Sequence, residues 1–211
     1  MDILSIKNLT FGYKDCPVFE DFSISFEEGK IHCVVGENGA GKTTLLKCIS
    51  SLINNSKDVY YKGNSIEKDK SLLQSISYIM SEDTLYPHMT VNENIKFYSS
   101  LFSKTKKFKD KVHYLLNKLG CDEYADSLVK SLSQGTRNKI YLSIMLSKDA
   151  EVFLLDEPFT ALDSKSQKFF FDLIKEKNKN ENSTFIIVTH IEEFKKIASN
   201  TIEIKKLKIA D

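Results

Sequence analysis

The run Gly36-Glu37-Asn38-Gly39-Ala40-Gly41-Lys42-Thr43-Thr44 constrains this chain more than any other segment. Before it stands Ile31-His32-Cys33-Val34-Val35, an apolar stretch of strand length. After it comes an apolar helical pattern from Thr43 to about Ser51, with Leu45, Leu46 and Ile49 as packing residues. A buried strand must therefore run through a glycine loop straight into a helix. Glycines let such a loop turn tightly and aim its N–H groups inward, and the helix adds its positive N-terminal end. The pattern G-x-x-x-x-G-K-[ST] in this setting marks a phosphate-binding loop. Gly36, Asn38, Gly39, Ala40 and Gly41 form the cradle, and Lys42 supplies a point charge for the β- and γ-phosphates. The Thr43 hydroxyl is placed to ligate Mg2+, and Thr44 adds a phosphate contact. The bland alternative, a structural glycine turn, does not account for the flanking strand and helix.

The chain has 211 residues, enough for one domain with room for an inserted subdomain. Hydrophobic residues make up 41% and charged residues 28%, with a net charge of +1. That balance gives no global field for nucleic acid or an acidic membrane surface. Met1-Asp2-Ile3-Leu4 lacks the basic-then-apolar pattern of a signal peptide. No apolar run approaches the roughly 18 residues needed to span a bilayer. Any membrane role is expected to come through a partner chain. Cys16, Cys33, Cys48 and Cys121 show neither C-x-x-C pairing nor His at metal-ligand spacing. Cys33 and Cys48 read as small core residues, and all four are expected as reduced thiols in the cytosol.

Ile3–Leu9 and Phe22–Phe26 alternate as strands do, and Val59–Tyr61 and Ile76–Met80 are further candidates. Val152–Leu155 is apolar throughout, as is Thr184–Val188 after its first residue, and both predict fully buried strands. A helix is expected from Ser164 to Lys177. A short helix and a terminal hairpin around Ile202–Ile209 follow. Val91 to Leu146 reads as helical. Its Lys104-Thr105-Lys106-Lys107 run, with no aromatic interleaving, predicts a solvated face rather than a nucleic-acid patch. Continuous apolar strands alternating with helices predict a parallel sheet covered on both faces. The predicted α/β core occupies about residues 1–85 and 147–211, and the inserted helical subdomain about 86–146.

Val152–Leu155 delivers Asp156 and Glu157 to the carboxyl end of a core strand, where ligands bind in open α/β sheets. Asp156 suits a Mg2+ shell, and Glu157 is then placed to polarise a water facing the γ-phosphate. Beside a phosphate loop this outweighs the alternative of an acidic turn before Pro158. Farther upstream, Ser131 and Gln134 have capping-box spacing and predict a helix start. Its free N–H groups, with the Ser133 hydroxyl, would make an anion site; an ordinary helix cap is the bland alternative.

In their order along essentially the whole chain, these segments resemble the ATP-binding subunit of an ABC transporter. Gly36 to Thr44 is similar to the family's Walker A loop and Val152 to Glu157 to its Walker B strand. Leu132-Ser133-Gln134-Gly135-Thr136 resembles the family's L-S-G-G-Q signature, with Gln134 and Thr136 departing from it. The resemblance implies an α/β P-loop NTPase core of RecA-like type, an N-terminal antiparallel β subdomain and an inserted helical subdomain, all in one ABC ATPase domain. It implies that Tyr13 stacks on adenine and that Asp163, in Ala161-Leu162-Asp163, lies in the D-loop. His190 becomes the switch histidine at the γ-phosphate. Ser133, Gln134 and Gly135 become contacts to ATP held by a second subunit. ATP and Mg2+ are the implied ligands. The implied partners are a second ABC ATPase subunit, identical or paralogous, and a transmembrane permease that holds the chain at the cytoplasmic face. Nucleic acid is not among them. Ser81 stands where the family places the Q-loop glutamine, a departure that Glu82 or a bridging water could offset. Small cassettes of this kind resemble exporters of peptides or drugs. The alternatives are a soluble ABC ATPase of iron–sulfur assembly or DNA repair type, a small-molecule kinase, and a non-catalytic nucleotide-binding subunit. The lack of long heptads and zinc spacings disfavours the repair type.

Overall fold

The computed structural model describes residues 1–14, 16–53, 58–102 and 106–206. The chain divides into two compact units, one comprising Met1–Tyr78, Ala150–Glu157 and Leu173–Asp211, the other Ile79–Asp149 and Pro158–Asp172.

The first unit holds two sheets. In the antiparallel one, β1 (Asp2–Tyr13) pairs with β2 (Cys16–Glu27) and with β4 (Val59–Tyr61), and β4 pairs with β5 (Asn64–Ser65), giving the order β2-β1-β4-β5. Leu4 lies opposite Phe26 and Ile6 opposite Ile24, so the alternation of β1 sets one apolar face. The second sheet has the order β6-β7-β8-β3-β9, from β6 (Ile76–Ile79), β7 (Val152–Asp156), β8 (Thr184–Val188), β3 (Ile31–Val35) and β9 (Asn200–Glu203). The pairs β7/β8, β8/β3 and β3/β9 are parallel. Every residue of β7 and β8 is buried, as their unbroken apolar runs predict.

One core joins these parts. Leu4, Ile6 and Phe26 from the antiparallel sheet meet Leu45, Leu46 and Ile49 of helix α1 (Lys42–Ile49), and Val34, Leu154, Ile186 and Val188 from the parallel sheet. Phe153 and Phe185 stack with ring centroids 5.1 Å apart, and the Lys177 ammonium lies over the Phe153 ring. Cys33, Cys48 and Cys121 are buried thiols and Cys16 is exposed. Burial pushes the Cys48 thiol up to about 12, so it stays protonated and packs as a small apolar group.

At the C-terminal end Ile202 lies in β9, which adds in parallel to the edge of β3, with Ile202 opposite Val34. The expected return strand, near Ile209, falls outside the described residues.

The second unit is built on α2 (Val91–Leu101), α3 (Lys106–Lys118) and α4 (Gln134–Leu146), with α5 (Ser164–Glu181) beginning in it. Val91 and Ile95 of α2, Val112 and Leu116 of α3, and Ile140, Tyr141 and Ile144 of α4 are buried at helical spacing. The unit extends past the predicted limits of 86 and 146, for reasons that hydrogen bonds supply. Met80 N donates to Tyr141 Oη at 3.2 Å, and Tyr98 Oη donates to Thr84 O at 2.9 Å. Residues 158–172 join through the Lys139–Asp163 ion pair at 2.8 Å.

Thr90 starts α2 with a capping box. Glu93 N donates to Thr90 Oγ1 at 3.2 Å, and Thr90 N donates to Glu93 Oε2 at 2.8 Å. Thr90→Ala leaves one of these N–H groups without its partner and is expected to cost about 1 kcal/mol. In urea the midpoint falls while the slope of the transition is unchanged.

Candidate nucleotide site

β3 ends at Val35 and the loop leaves it through Gly36, where a Cβ would collide with the Ile204 carbonyl. Gly41 closes the loop at φ 99°, and a Cβ there would lie 2.7 Å from Val18 Cγ1. Any side chain at either place would push the loop off β2 or off the residue after β9. From Gly41 the chain enters α1, whose first ladder bond runs from Leu45 N to Gly41 O at 2.8 Å. No side chain caps the start of α1 among the described residues, so its first-turn N–H groups face outward with the positive end of the helix. Lys42 is 93% covered, with a relative exposure of 7%. Its ammonium donates to Gly36 O at 2.9 Å and Glu37 O at 3.0 Å, which stations the charge at the mouth of the loop.

β7 brings in the carboxylates. Asp156 is buried, and its Oδ1 accepts from Thr43 Oγ1 at 3.0 Å while Oδ2 accepts from Tyr78 Oη at 3.1 Å. Burial pushes the Asp156 carboxyl above its usual range, and the two hydroxyl donors pull against that shift. Glu157 follows in a left-handed conformation, φ 49°, with its N–H donating to Val188 O at 2.9 Å. A non-glycine residue held there costs of order 1–3 kcal/mol. The turn lifts its side chain off the sheet line. His190 Nε2 lies 3.2 Å from Glu157 Oε1.

A cleft of about 490 Å3 opens among these groups, lined by Tyr13, Asn38, Gly39, Lys42, Thr43 and Glu157 with their neighbours. Tyr13 is 47% exposed and stands edge-on to Phe11 with centroids 4.9 Å apart. Thr44 also lines the cleft, and Ala40 is buried behind it. The first unit thus brings together all the phosphate-loop residues with Tyr13, Asp156, Glu157 and His190.

The remaining candidates lie in the second unit. Here the predicted helix cap is corrected. α4 is capped by Ser133, whose Oγ accepts from Thr136 N at 3.2 Å and pairs with Thr136 Oγ1 at 2.9 Å. Ser131 instead ends a 3-10 turn, Val129–Ser131, and its Oγ donates to Leu128 O at 2.7 Å. The extended Leu132 between them (ψ 149°) resets the chain, so Gln134 opens the helix instead of closing a capping box. Gly135 packs against Ala161, whose carbonyl a Cβ would meet at 3.4 Å. Asp163 caps α5, accepting from Ser166 N at 2.8 Å and Ser166 Oγ at 3.0 Å, besides its ion pair with Lys139. Ser81 is exposed just after β6. Two residues escaped notice in the sequence, Tyr78 and Lys139. Tyr78 carries one local clue, a hydroxyl-tipped ring near the end of a strand of otherwise apolar or small residues. Lys139 carries none.

A parallel sheet that presents a glycine loop, a threonine hydroxyl and two acids at the carboxyl ends of its strands is the framework of a phosphate-loop nucleoside triphosphatase. Comparison with known proteins narrows that class. The family profile described as ABC transporter matches residues 19–160. A profile described as "AAA domain, putative AbiEii toxin, Type IV TA system" matches residues 128–194 only. The ergothioneine transport ATP-binding protein EgtV of Helicobacter pylori is 38% identical over 211 residues, covering 98% of this chain and 99% of that one. The SkfA peptide export ATP-binding protein SkfE of Bacillus subtilis is 31% identical over 196 residues, covering 92% and 81%. Among solved structures, the ATP-binding cassette MJ0796, described as a dimer in a post-hydrolysis state bound to ADP and Pi, aligns with a TM-score of 0.83. It is 21% identical and covers 97% of both chains. The chain belongs to the ABC transporter family, as a nucleotide-binding subunit that hydrolyses ATP.

Proposed function

We propose that this subunit is the motor of a membrane transporter and that two cassettes close around two Mg-ATP. The observation that carries the reading is the single cleft in which Tyr13, the loop, Thr43 and Glu157 meet. Adenine stacks on Tyr13 and the phosphates lie along residues 36–44, against the first turn of α1. The Lys42 ammonium exchanges the Gly36 and Glu37 carbonyls for β- and γ-phosphate oxygens. Thr43 Oγ1 and Asp156 Oδ1, 3.0 Å apart, are the oxygen donors a hard cation takes, so the pair fits Mg2+. Mg2+ held there would neutralise charge on the β- and γ-phosphates.

Glu157 takes the proton of the attacking water as its oxygen bonds to the γ-phosphorus. The bond from that phosphorus to the bridging oxygen breaks, and ADP and phosphate leave. His190 orients the Glu157 carboxylate and faces the γ-phosphate. Ser133, Gln134 and Gly135 at the start of α4 contact the ATP of the second subunit, and Asp163 belongs to the D-loop. Triphosphate then favours the closed pair, and its cleavage lets the pair reopen. The relative described as a dimer with ADP and Pi is a parallel for that pairing.

No helix among the described residues is long and apolar enough to cross a membrane, so attachment at the cytoplasmic face is assigned to a permease. The loop from Ser81 to Thr90 and the helical unit behind it carry motion to that partner. The SkfA relative is a named parallel for a peptide exporter and the ergothioneine transport relative for a small-molecule carrier; cargo choice belongs to the permease. Affinity capture from detergent-solubilised membranes tests the motor role. A chain with many apolar spans is expected to co-purify and to raise phosphate release, and a purely soluble set of partners would overturn the reading. Ser81→Gln restores the side chain the family resemblance expects. It is expected to keep or raise basal ATPase activity, and a collapse of hydrolysis with the fold intact would refute that.

A further inference from the structure

The Asp156 carboxylate is gripped on both oxygens. Thr43 Oγ1 donates to Oδ1 at 3.0 Å and Tyr78 Oη donates to Oδ2 at 3.1 Å. Only the first of these donors belongs to the phosphate loop. Tyr78 sits on β6, the strand beside β7, at a half-buried position, and Asp156 is 5% exposed. A carboxylate so deeply placed needs donors on both oxygens, and two donors from different elements fix its rotation about χ2. Released on one side, it could turn Oδ1 away from Thr43. Mg2+ demands near-octahedral oxygen geometry and gives up its waters reluctantly, so a pre-aimed carboxylate matters more to it than to a looser cation.

We infer that Tyr78 is a positioning residue of the metal site, whose phenol clamps Asp156 Oδ2 so that Oδ1 and the Thr43 hydroxyl stay aimed at one cation. The inference rests on the reading above that Thr43 and Asp156 hold Mg2+. Outer-shell partners of this kind are worth about 10- to 100-fold in metal affinity. Tyr78→Phe keeps the ring and takes away the hydroxyl that donates to Asp156 Oδ2.

The test is equilibrium binding of a non-hydrolysable ATP analogue by calorimetry, in excess Mg2+ and in EDTA. Four proteins are compared: the parent, Tyr78→Phe, Asp156→Ala and the double variant. Parent and Tyr78→Phe are expected to bind alike in EDTA. The gain in affinity on adding Mg2+ should be smaller in Tyr78→Phe by about tenfold or more. In the Asp156→Ala background the same change should add nothing. An undiminished gain in Tyr78→Phe overturns the inference. So does an equal loss with and without metal, which marks a role in packing alone. A parent that shows no gain from Mg2+ overturns the metal reading itself, a separate failure visible before any variant is made. Tyr78→Leu, read in the same way, serves if the Phe variant does not fold.

Discussion

Glu157→Gln is expected to bind ATP as the parent does and to release phosphate more slowly by about 10²–10⁴-fold, the range that a positioned general base contributes. That factor corresponds to roughly 3–5 kcal/mol of barrier. The effect is clean because the substitution preserves the local geometry. Glutamine has the size of glutamate and sits in the same left-handed backbone at φ 49°, so the local strain and the bond from its N–H to Val188 O are kept. What is lost is the group that accepts a proton. With cleavage blocked, ATP bridging two cassettes accumulates, and light scattering in Mg-ATP should show twice the subunit mass. Normal turnover in this variant would remove Glu157 from the role of base. A variant that is slow yet stays single, alone and with its permease, would remove the sandwich.

Lys42→Met is expected to weaken ATP binding by about 100-fold or more. Hydrogen bonds to charged groups are worth about 1.5–3 kcal/mol each, and this ammonium serves more than one phosphate oxygen. The same substitution takes the donor from Gly36 O and Glu37 O, which lie 2.9 and 3.0 Å from Nζ, so the loop loses an internal tie as well. Methionine keeps the stem that fills the largely buried site, which separates loss of charge from loss of packing. Calorimetric titration with Mg-ATP reads the effect directly, and an unchanged affinity would overturn the placement of phosphate in this loop.

What could be read from the sequence follows from how far apart the deciding groups lie. The glycine loop is local: nine consecutive residues between an apolar strand and an apolar helix specify their own turn. β7 and β8 were legible because strands buried on both faces show unbroken apolar runs, Val152–Leu155 and Phe185–Val188. The cap of α4 was misassigned because Ser131 and Ser133 both offer a hydroxyl near a helix start. The extended Leu132 decides between them, and no local rule announces it. The partner of β9 was hidden for a related reason, because it is β3, some 170 residues earlier along the chain. Tyr78 and Asp156 are 78 positions apart and meet only because β6 and β7 are neighbours. The acid could be proposed from its motif, while its clamp required the sheet order.

The ion pair between Lys139 and Asp163 has a consequence for timing. Together with Gly135, set against the Ala161 carbonyl, it ties the first turns of α4 to the turn ahead of α5. If two cassettes pair as proposed, a displacement of these tied segments would carry Ser133 and Asp163 toward the opposing cassette together. Docking of the pair would then be gained and lost in one step.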